Sequence, residues 1–235
     1  MLLDRLQRLL PERYEATASS FELRGSSLLC VELLDVEGAD VLDIGCSIGW
    51  YANEALARGA RSVVGLDVSE GALAVARTVA ADASFVAGNA LDLPFADGSF
   101  DIVTMFNVIE HLPRRAEPRL LREGHRVLRP GGRLALVTPH RHWLPTIADP
   151  AWYLGHRHYT APRIRGLIEA ADMHVDRLEL AGGAYDTLDL LLYYGSRHFL
   201  RRERHPFHGV RVRADSEFSK GRNGRNYVTV VASRR

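Results

Sequence analysis

Apolar positions along the chain fall into short blocks of two kinds. Val41-Leu42-Asp43-Ile44, Ser62–Leu66, Ala83–Ala87, Ile102–Phe106 and Leu134–Val137 are brief runs rich in β-branched residues. Such runs suit strands covered on both faces. Between them, Trp50–Arg58, Glu70–Ala81 and Arg114–Leu128 space their apolar residues as helices do, and Ala161–Ala171 does so again later. Strand and helix therefore alternate from Val41 to Pro139, which predicts an α/β fold built on a parallel sheet. Ahead of this core, leucines at helical spacing over Leu2–Leu10, stopped by Pro11, and over Ser20–Leu34 predict N-terminal helices. Behind it, His174–Leu180 and Arg225–Ala232 read as two more strands. The stretch 184–222 between them is an insertion, whose Leu188–Tyr194 run is apolar except for Asp189.

Local signals place the boundaries. Ser69 and Thr160 are suited to capping the helices that follow them, and Pro162 fits a first helical turn. Pro130-Gly131-Gly132 predicts a turn before the fifth strand, since proline fixes φ and the glycines are unrestricted.

The first strand runs into Asp43-Ile44-Gly45-Cys46-Ser47-Ile48-Gly49, a strand–glycine-loop–helix corner of the kind that binds nucleotides. The spacing is not the G-x-G-x-x-G of a dinucleotide site. A carboxylate at Asp43 would repel a pyrophosphate and suits a cationic ligand end, an ammonium or sulfonium. Asp67 ends the second strand, where a carboxylate can accept both hydroxyls of a ribose. If the backbone at Gly45 approaches the ligand, Gly45→Val should abolish binding and leave the fold.

Four further segments occur in order after this corner: Gly88-Asn89-Ala90-Leu91-Asp92-Leu93-Pro94-Phe95, Phe100-Asp101-Ile102-Val103, Glu110-His111-Leu112, and Leu128-Arg129-Pro130-Gly131-Gly132. Together they resemble the class I, Rossmann-like S-adenosylmethionine-dependent methyltransferases of the ubiquinone/menaquinone-biosynthesis-like type that act on small molecules. The resemblance covers Val41–Pro139 and thins beyond it. It implies a seven-stranded, mostly parallel sheet with helices on both faces and the last strand antiparallel, inserted between its neighbours. It also implies S-adenosyl-L-methionine as cofactor. Asp43, Gly45, Ser47 and Gly49 from the loop, with Asp67 and Val68, would contact it. Asn89 and Ala90 would meet the adenine, and Asn107 the methionine arm. Asn89 departs from the acid that the family carries there; its side-chain oxygen can accept from the adenine amino group, or the residue only shapes a turn.

Methyl transfer needs a general base when the acceptor is a hydroxyl or a protonated amine. The candidates are His111, His156 and His158, because histidine titrates near neutrality. His111 is placed by the Glu-His-Leu segment; the alternative is that it holds the following loop. The pairs His140/His142 and His156/His158 invite a metal, but Asp149 is the only nearby acid, and no metal is expected. A hydroxyl acceptor is the expectation, on a small molecule or lipid- or glycan-like body that meets the apolar 188–194 run or the aromatic loop from Trp143 to Tyr153.

Composition limits the alternatives. Apolar residues are 46% and charged residues 25%, with a net charge of +1, so nothing argues for nucleic acid. The basic residues are arginine except for Lys220. Cys30 and Cys46 give no disulfide framework. The N-terminal leucines are interrupted by charges, which suits neither a signal peptide nor a membrane span, so a cytoplasmic protein is expected. One methyltransferase domain over 1–235 is expected, with helices over 1–35, a cofactor core over 41–139 and the insertion over 184–222. Arginines and aromatics over 185–204 leave open a peripheral membrane contact, a sheet-edge cover or a homodimer face. Two other function classes compete: a non-catalytic regulator that binds the same cofactor, and an NAD-dependent oxidoreductase, against which the glycine spacing and Asp43 argue.

Overall fold

The computed structural model of the chain describes residues 23–143, 146, 152, 155–199, 208–220 and 224–235. The helix expected over Leu2–Leu10, the start of the one expected from Ser20, and much of the aromatic loop after Trp143 lie outside these residues. In chain order the elements are α1 (Ser26–Glu32), β1 (Asp40–Ile44), α2 (Trp50–Ala57), β2 (Ser62–Asp67), α3 (Glu70–Val79), β3 (Ser84–Ala87) and β4 (Phe100–Phe106). A 3-10 turn (Ile109–His111), α4 (Glu117–Val127), β5 (Leu128–Pro139), α5 (Ala161–Glu169) and β6 (Met173–Ala181) follow. The last elements are α6 (Ala184–Phe199), α7 (His208–Lys220) and β7 (Tyr227–Arg234).

The strands form one sheet in the order β3-β2-β1-β4-β5-β7-β6. β7 runs antiparallel to both β5 and β6, and the remaining pairs are parallel. The chain leaves β1 towards β2 and β3, then returns to β4 on the other side. The carboxyl ends of β1 and β4 therefore flank a switch point, where open α/β sheets leave a crevice for ligands.

The apolar runs become strands because both faces are covered. Leu42 and Ile44 of β1 face one core with Val103, Met105, Leu134 and Leu136; Leu120 and Leu121 of α4 and Ile164 of α5 complete it. Val41 faces the other core with Val63, Ile102, Ala135, Tyr51 and Cys30. The split follows the period-two alternation of strands. Gly124 lets α4 come close to β4, since a Cβ there would stand 2.7 Å from Met105 Cε. Ser69 caps α3, its hydroxyl accepting from Ala72 N at 3.2 Å.

The Pro130-Gly131-Gly132 step differs from expectation. It is an irregularity inside β5, where pairing jumps from Phe100↔Leu128 to Ile102↔Arg133. Gly131 takes φ +78, and a Cβ on Gly132 would lie 2.8 Å from the Arg129 carbonyl oxygen. The glycines let the surplus residues fold out without breaking the strand.

In the insertion, α6 and α7 pack on each other, and α7 packs on α1. Asp215 accepts from Gly25 N at 2.8 Å, while Ala214 and Phe218 are buried. Glu217 accepts from Tyr185 N and Asp186 N, capping α6. Leu188 and Leu191 stay exposed, so the apolar run is only partly covered by the described residues. No helix of the described residues is long and apolar enough to cross a membrane.

Candidate active site

A cavity of about 520 Å³ opens at the carboxyl ends of β1, β2 and β4. Its size lies in the ordinary range for small-molecule sites. Gly45 and Ser47 form one wall, Asp67 and Val68 the next, Asn89 and Ala90 a third. Asn107, Val108 and His111 close the side towards the mouth, with Leu112 and Pro113 beyond them.

Asp67 is fixed before any ligand arrives. One carboxylate oxygen accepts from Ser47 N and the other from Ser69 N, both at 2.9 Å. A carboxylate has about four lone-pair sites, so roughly two remain for a diol. Ser47 adopts φ 48 and Asn107 φ 55, left-handed conformations. Asparagine tolerates this region better than most residues, and it turns the chain sharply out of β4. Val68 beside Asp67 is 77% exposed, an apolar shelf on the cavity wall. Fixed carboxylate, uncovered valine and glycine loop together fit an adenosine-bearing cofactor.

Of the loop residues expected at the cofactor, Asp43 and Gly49 do not line the cavity, whereas Gly45 does. Asp43 is 3% exposed and absent from the cavity lining. It shares the face of Val41, pairs across to Thr104, and accepts from Thr104 Oγ1 at 2.7 Å. Burial first, and then the charge of Asp67, push its carboxyl up to about 7, against the hydrogen bond from Thr104. Gly49 takes φ +76 and serves packing, because a Cβ there would stand 2.9 Å from Ala76 Cβ and 3.0 Å from Phe85. Gly45 lines the cavity, yet a Cβ on it would meet Val108 Cγ2 at 2.5 Å, at φ +72. The close approach that demands glycine is to Val108, so a valine at 45 strains the fold as well as the site.

Asn89 shapes a turn: its side-chain oxygen accepts from Leu91 N at 2.9 Å, and its carbonyl accepts from Asp92 N at 2.9 Å. The side chain remains exposed on the cavity wall. Cys46 is buried, and its thiol is pushed up by burial and by Asp43 and Asp67, which makes it a poor nucleophile.

The structure separates the three candidate bases. His156 Nε2 lies 3.0 Å from His111 Nδ1, with the rings edge-on at 4.2 Å between centroids. Burial of the ring, and then the neighbouring His156, lower His111 to about 4. His158 points elsewhere: it is buried, its Nδ1 lies 3.0 Å from Thr146 Oγ1, and its ring meets Trp152 edge-on. The H-x-H spacing therefore sends its two rings to different neighbours. Among the described residues no group of three His, Cys, Asp or Glu comes together as a metal site.

Glu110 is buried and accepts from Thr138 Oγ1 at 3.0 Å, tying the His111 turn to the end of β5. Arg157 donates to Ile109 O at 2.9 Å and pairs with Glu117, while Tyr159 donates to both partners. These contacts hold His111 and His156 together. Arg126 was no sequence candidate, yet it donates to Phe95 O, Leu93 O, Asp97 and Glu123. It pins the segment after Asn89 against α4; the only sequence signal was an arginine one turn from Glu123.

A methyltransferase-domain family model matches residues 42–136. An uncharacterized methyltransferase of Synechocystis sp. is 40% identical over 164 residues, spanning 64% of this chain and 74% of that protein. A probable S-adenosylmethionine-dependent methyltransferase of Mycolicibacterium smegmatis is 37% identical over 140 residues, spanning 59% of this chain and 53% of its own length. A ubiquinone biosynthesis O-methyltransferase of Pseudomonas aeruginosa is 37% identical over 118 residues, spanning 47% of this chain and 48% of that enzyme. The chain thus spans about half the length of several curated relatives it matches. Among solved structures, an S-adenosylmethionine-dependent methyltransferase from Mesorhizobium loti superposes with TM-score 0.61 at 21% identity, covering 88% of this chain and 96% of that one. At that identity the likeness concerns the fold.

Proposed function

The chain belongs to the Rossmann-like S-adenosylmethionine-dependent methyltransferases, and from that premise we propose that it methylates a hydroxyl of a small-molecule or lipid- or glycan-like acceptor beside His111 and His156. S-adenosylmethionine is the cofactor; when bound it supplies a sulfonium-activated methyl group for in-line displacement. Asp67 would hold the ribose hydroxyls, Val68 and Ala90 the purine, and Ser47 and Asn107 the methionine arm. The side chains at the mouth would keep water from the reacting atoms.

The histidine pair carries the hydroxyl reading. Two imidazole nitrogens at 3.0 Å need one N–H and one lone pair between them. When His111 Nδ1 is the donor, its Nε2 is a lone pair free to take the proton of an acceptor hydroxyl. The Nδ1 proton is then shared with His156 Nε2, which spreads the positive charge. A ring held well below its ordinary pKa is neutral, and so able to accept, at neutral pH. The O-methyltransferase named among the relatives supports the same acceptor atom.

The test is a coupled assay of S-adenosylhomocysteine release over hydroxyl, amine and carbon acceptors, with His111→Ala and His111→Gln. Hydroxyl acceptors should react. His111→Ala should lower kcat by about two orders of magnitude, the usual worth of a positioned base, and leave S-adenosylhomocysteine affinity alone. The acid limb of kcat should lie below the ordinary histidine value of 6.5, towards 4. Turnover of amines alone, or an unaffected His111→Ala, would overturn the hydroxyl assignment. Cofactor binding with no turnover of any acceptor would favour the non-catalytic regulator.

A further inference from the structure

A second cavity, of about 430 Å³, is lined in part by the segment that follows His156. Arg141, Trp152, Arg157, His158, Thr160 and Arg163 line it, and no acidic side chain does among the described residues. Arg157 is neutralised by Glu117 at its back. Arg141 and Arg163 are exposed, and among the described residues no carboxylate lies within ion-pair distance of either. Exposed guanidiniums lining one concavity give it a positive potential that favours an anion. Their planar donor forks match the oxygens of a phosphate or carboxylate. Trp152, edge-on to His158 at 5.1 Å, gives the cavity an apolar wall.

One chain segment reaches both cavities: His156 meets His111 of the first, and Arg157, His158 and Thr160 line the second. Arg157 follows His156 directly in the chain, and its guanidinium donates to Ile109 O, in the turn that ends at His111. Arg141 N donates to Tyr159 O at 2.9 Å, so the basic wall and the His156 segment form one hydrogen-bonded unit. We propose that the second cavity binds the anionic end, a phosphate or carboxylate, of the acceptor whose hydroxyl meets the histidine pair. The identity of the ligand as acceptor rests on the methyl-transfer reading; the presence of an anion site does not.

The test uses the full chain saturated with S-adenosylhomocysteine in chloride buffer. It is titrated calorimetrically with inorganic phosphate, para-hydroxybenzoate and the neutral methyl ester of the latter. Both anions should bind saturably and displace each other, with the ester at least about tenfold weaker. Arg141→Gln/Arg163→Gln, at exposed positions where the fold has little to lose, should weaken both anions by about tenfold, the scale of a charge-assisted bond. It should leave S-adenosylhomocysteine affinity unchanged. Absent phosphate binding, an ester that binds as well as the acid, or an unaffected double variant would overturn the site. Phosphate that binds without displacing para-hydroxybenzoate would make it a separate anion site and overturn the acceptor assignment. Failure of S-adenosylhomocysteine itself to bind would instead strike the methyltransferase reading.

Discussion

The two oxygens of Asp67 each accept a backbone amide, from Ser47 and from Ser69, and so join the glycine loop to the start of α3. Asp67→Ala should therefore weaken S-adenosylhomocysteine binding by about 1–3 kcal/mol and also lower stability. Asp67→Asn keeps one acceptor and should hold the fold while losing affinity; calorimetry and melting separate the two effects. Affinity unchanged in both variants would remove Asp67 from the site. Asp43 makes a prediction of opposite kind. Its folded-state pKa is raised, so its contribution to stability is fully present below the unfolded value of 3.8 and is lost as pH rises through about 7. Asp43→Asn should leave Tm little changed near pH 4 and raise it at pH 8, relative to the parent. A parent and variant with parallel pH–Tm curves would mean that the buried carboxyl ionises at no cost.

At the scale of elements, the cavity wall from Asn89 to Asp97 owes its shape to α4. Arg126 holds two carbonyls and one carboxylate of this segment, and Glu123 accepts from Leu93 N at 2.8 Å. Arg126→Ala should cost about 1–3 kcal/mol of stability through the carbonyls left behind. It should also weaken cofactor binding several-fold without touching the cofactor. Faster amide hydrogen exchange over 89–97, with the rest of the sheet unchanged, is the signature that distinguishes loosening from global destabilisation. If exchange rises everywhere, Arg126 is a general stabiliser only. The His156–Thr160 segment shows the same dependence: only Tyr159 forms a strand-type bridge, to His140, and residues 156–158 are not in a strand, so the two histidines are not held on one face as i and i+2 of a strand would be. His156 thus meets His111, while His158 turns to Thr146.

For the whole molecule, the two ends of the sheet are treated differently. At the end opposite the cavity, Arg61 and Arg129 tie Asp40 and Asp101 into one ion network across β1, β2, β4 and β5. The hydrogen bond from Arg61, chiefly, holds Asp40 well below the usual carboxylate range. The carboxyl end carries glycines, left-handed residues and an uncovered valine instead. A ligand that completes that end should stabilise the whole fold. At about a hundredfold over Kd, mass action adds about 2.7 kcal/mol, which should raise Tm by roughly 5–10 °C for a chain of this size. Differential scanning with S-adenosylhomocysteine, and NAD as control, reads this directly; an equal shift with NAD would contradict the cofactor assignment.

The apolar runs Val41–Ile44, Ile102–Phe106 and Leu134–Val137, with helices between them, are enough to specify a parallel sheet, because a strand covered on both faces must be apolar throughout. The order of Asp43, Gly45, Asp67, Asn107 and Glu110-His111-Leu112 likewise locates the cavity, because chain order fixes which strand ends meet at the switch point. Sequence could not say which face of β1 carries Asp43, and pairing with Thr104 turns it away from the cavity. Nor could it say that Gly45 yields to Val108 and Gly49 to Ala76, or that His111 would find His156 rather than His158. Local pattern is written in consecutive residues. The meeting of side chains distant in the chain depends on sheet register and helix packing, and only the tertiary structure supplies those.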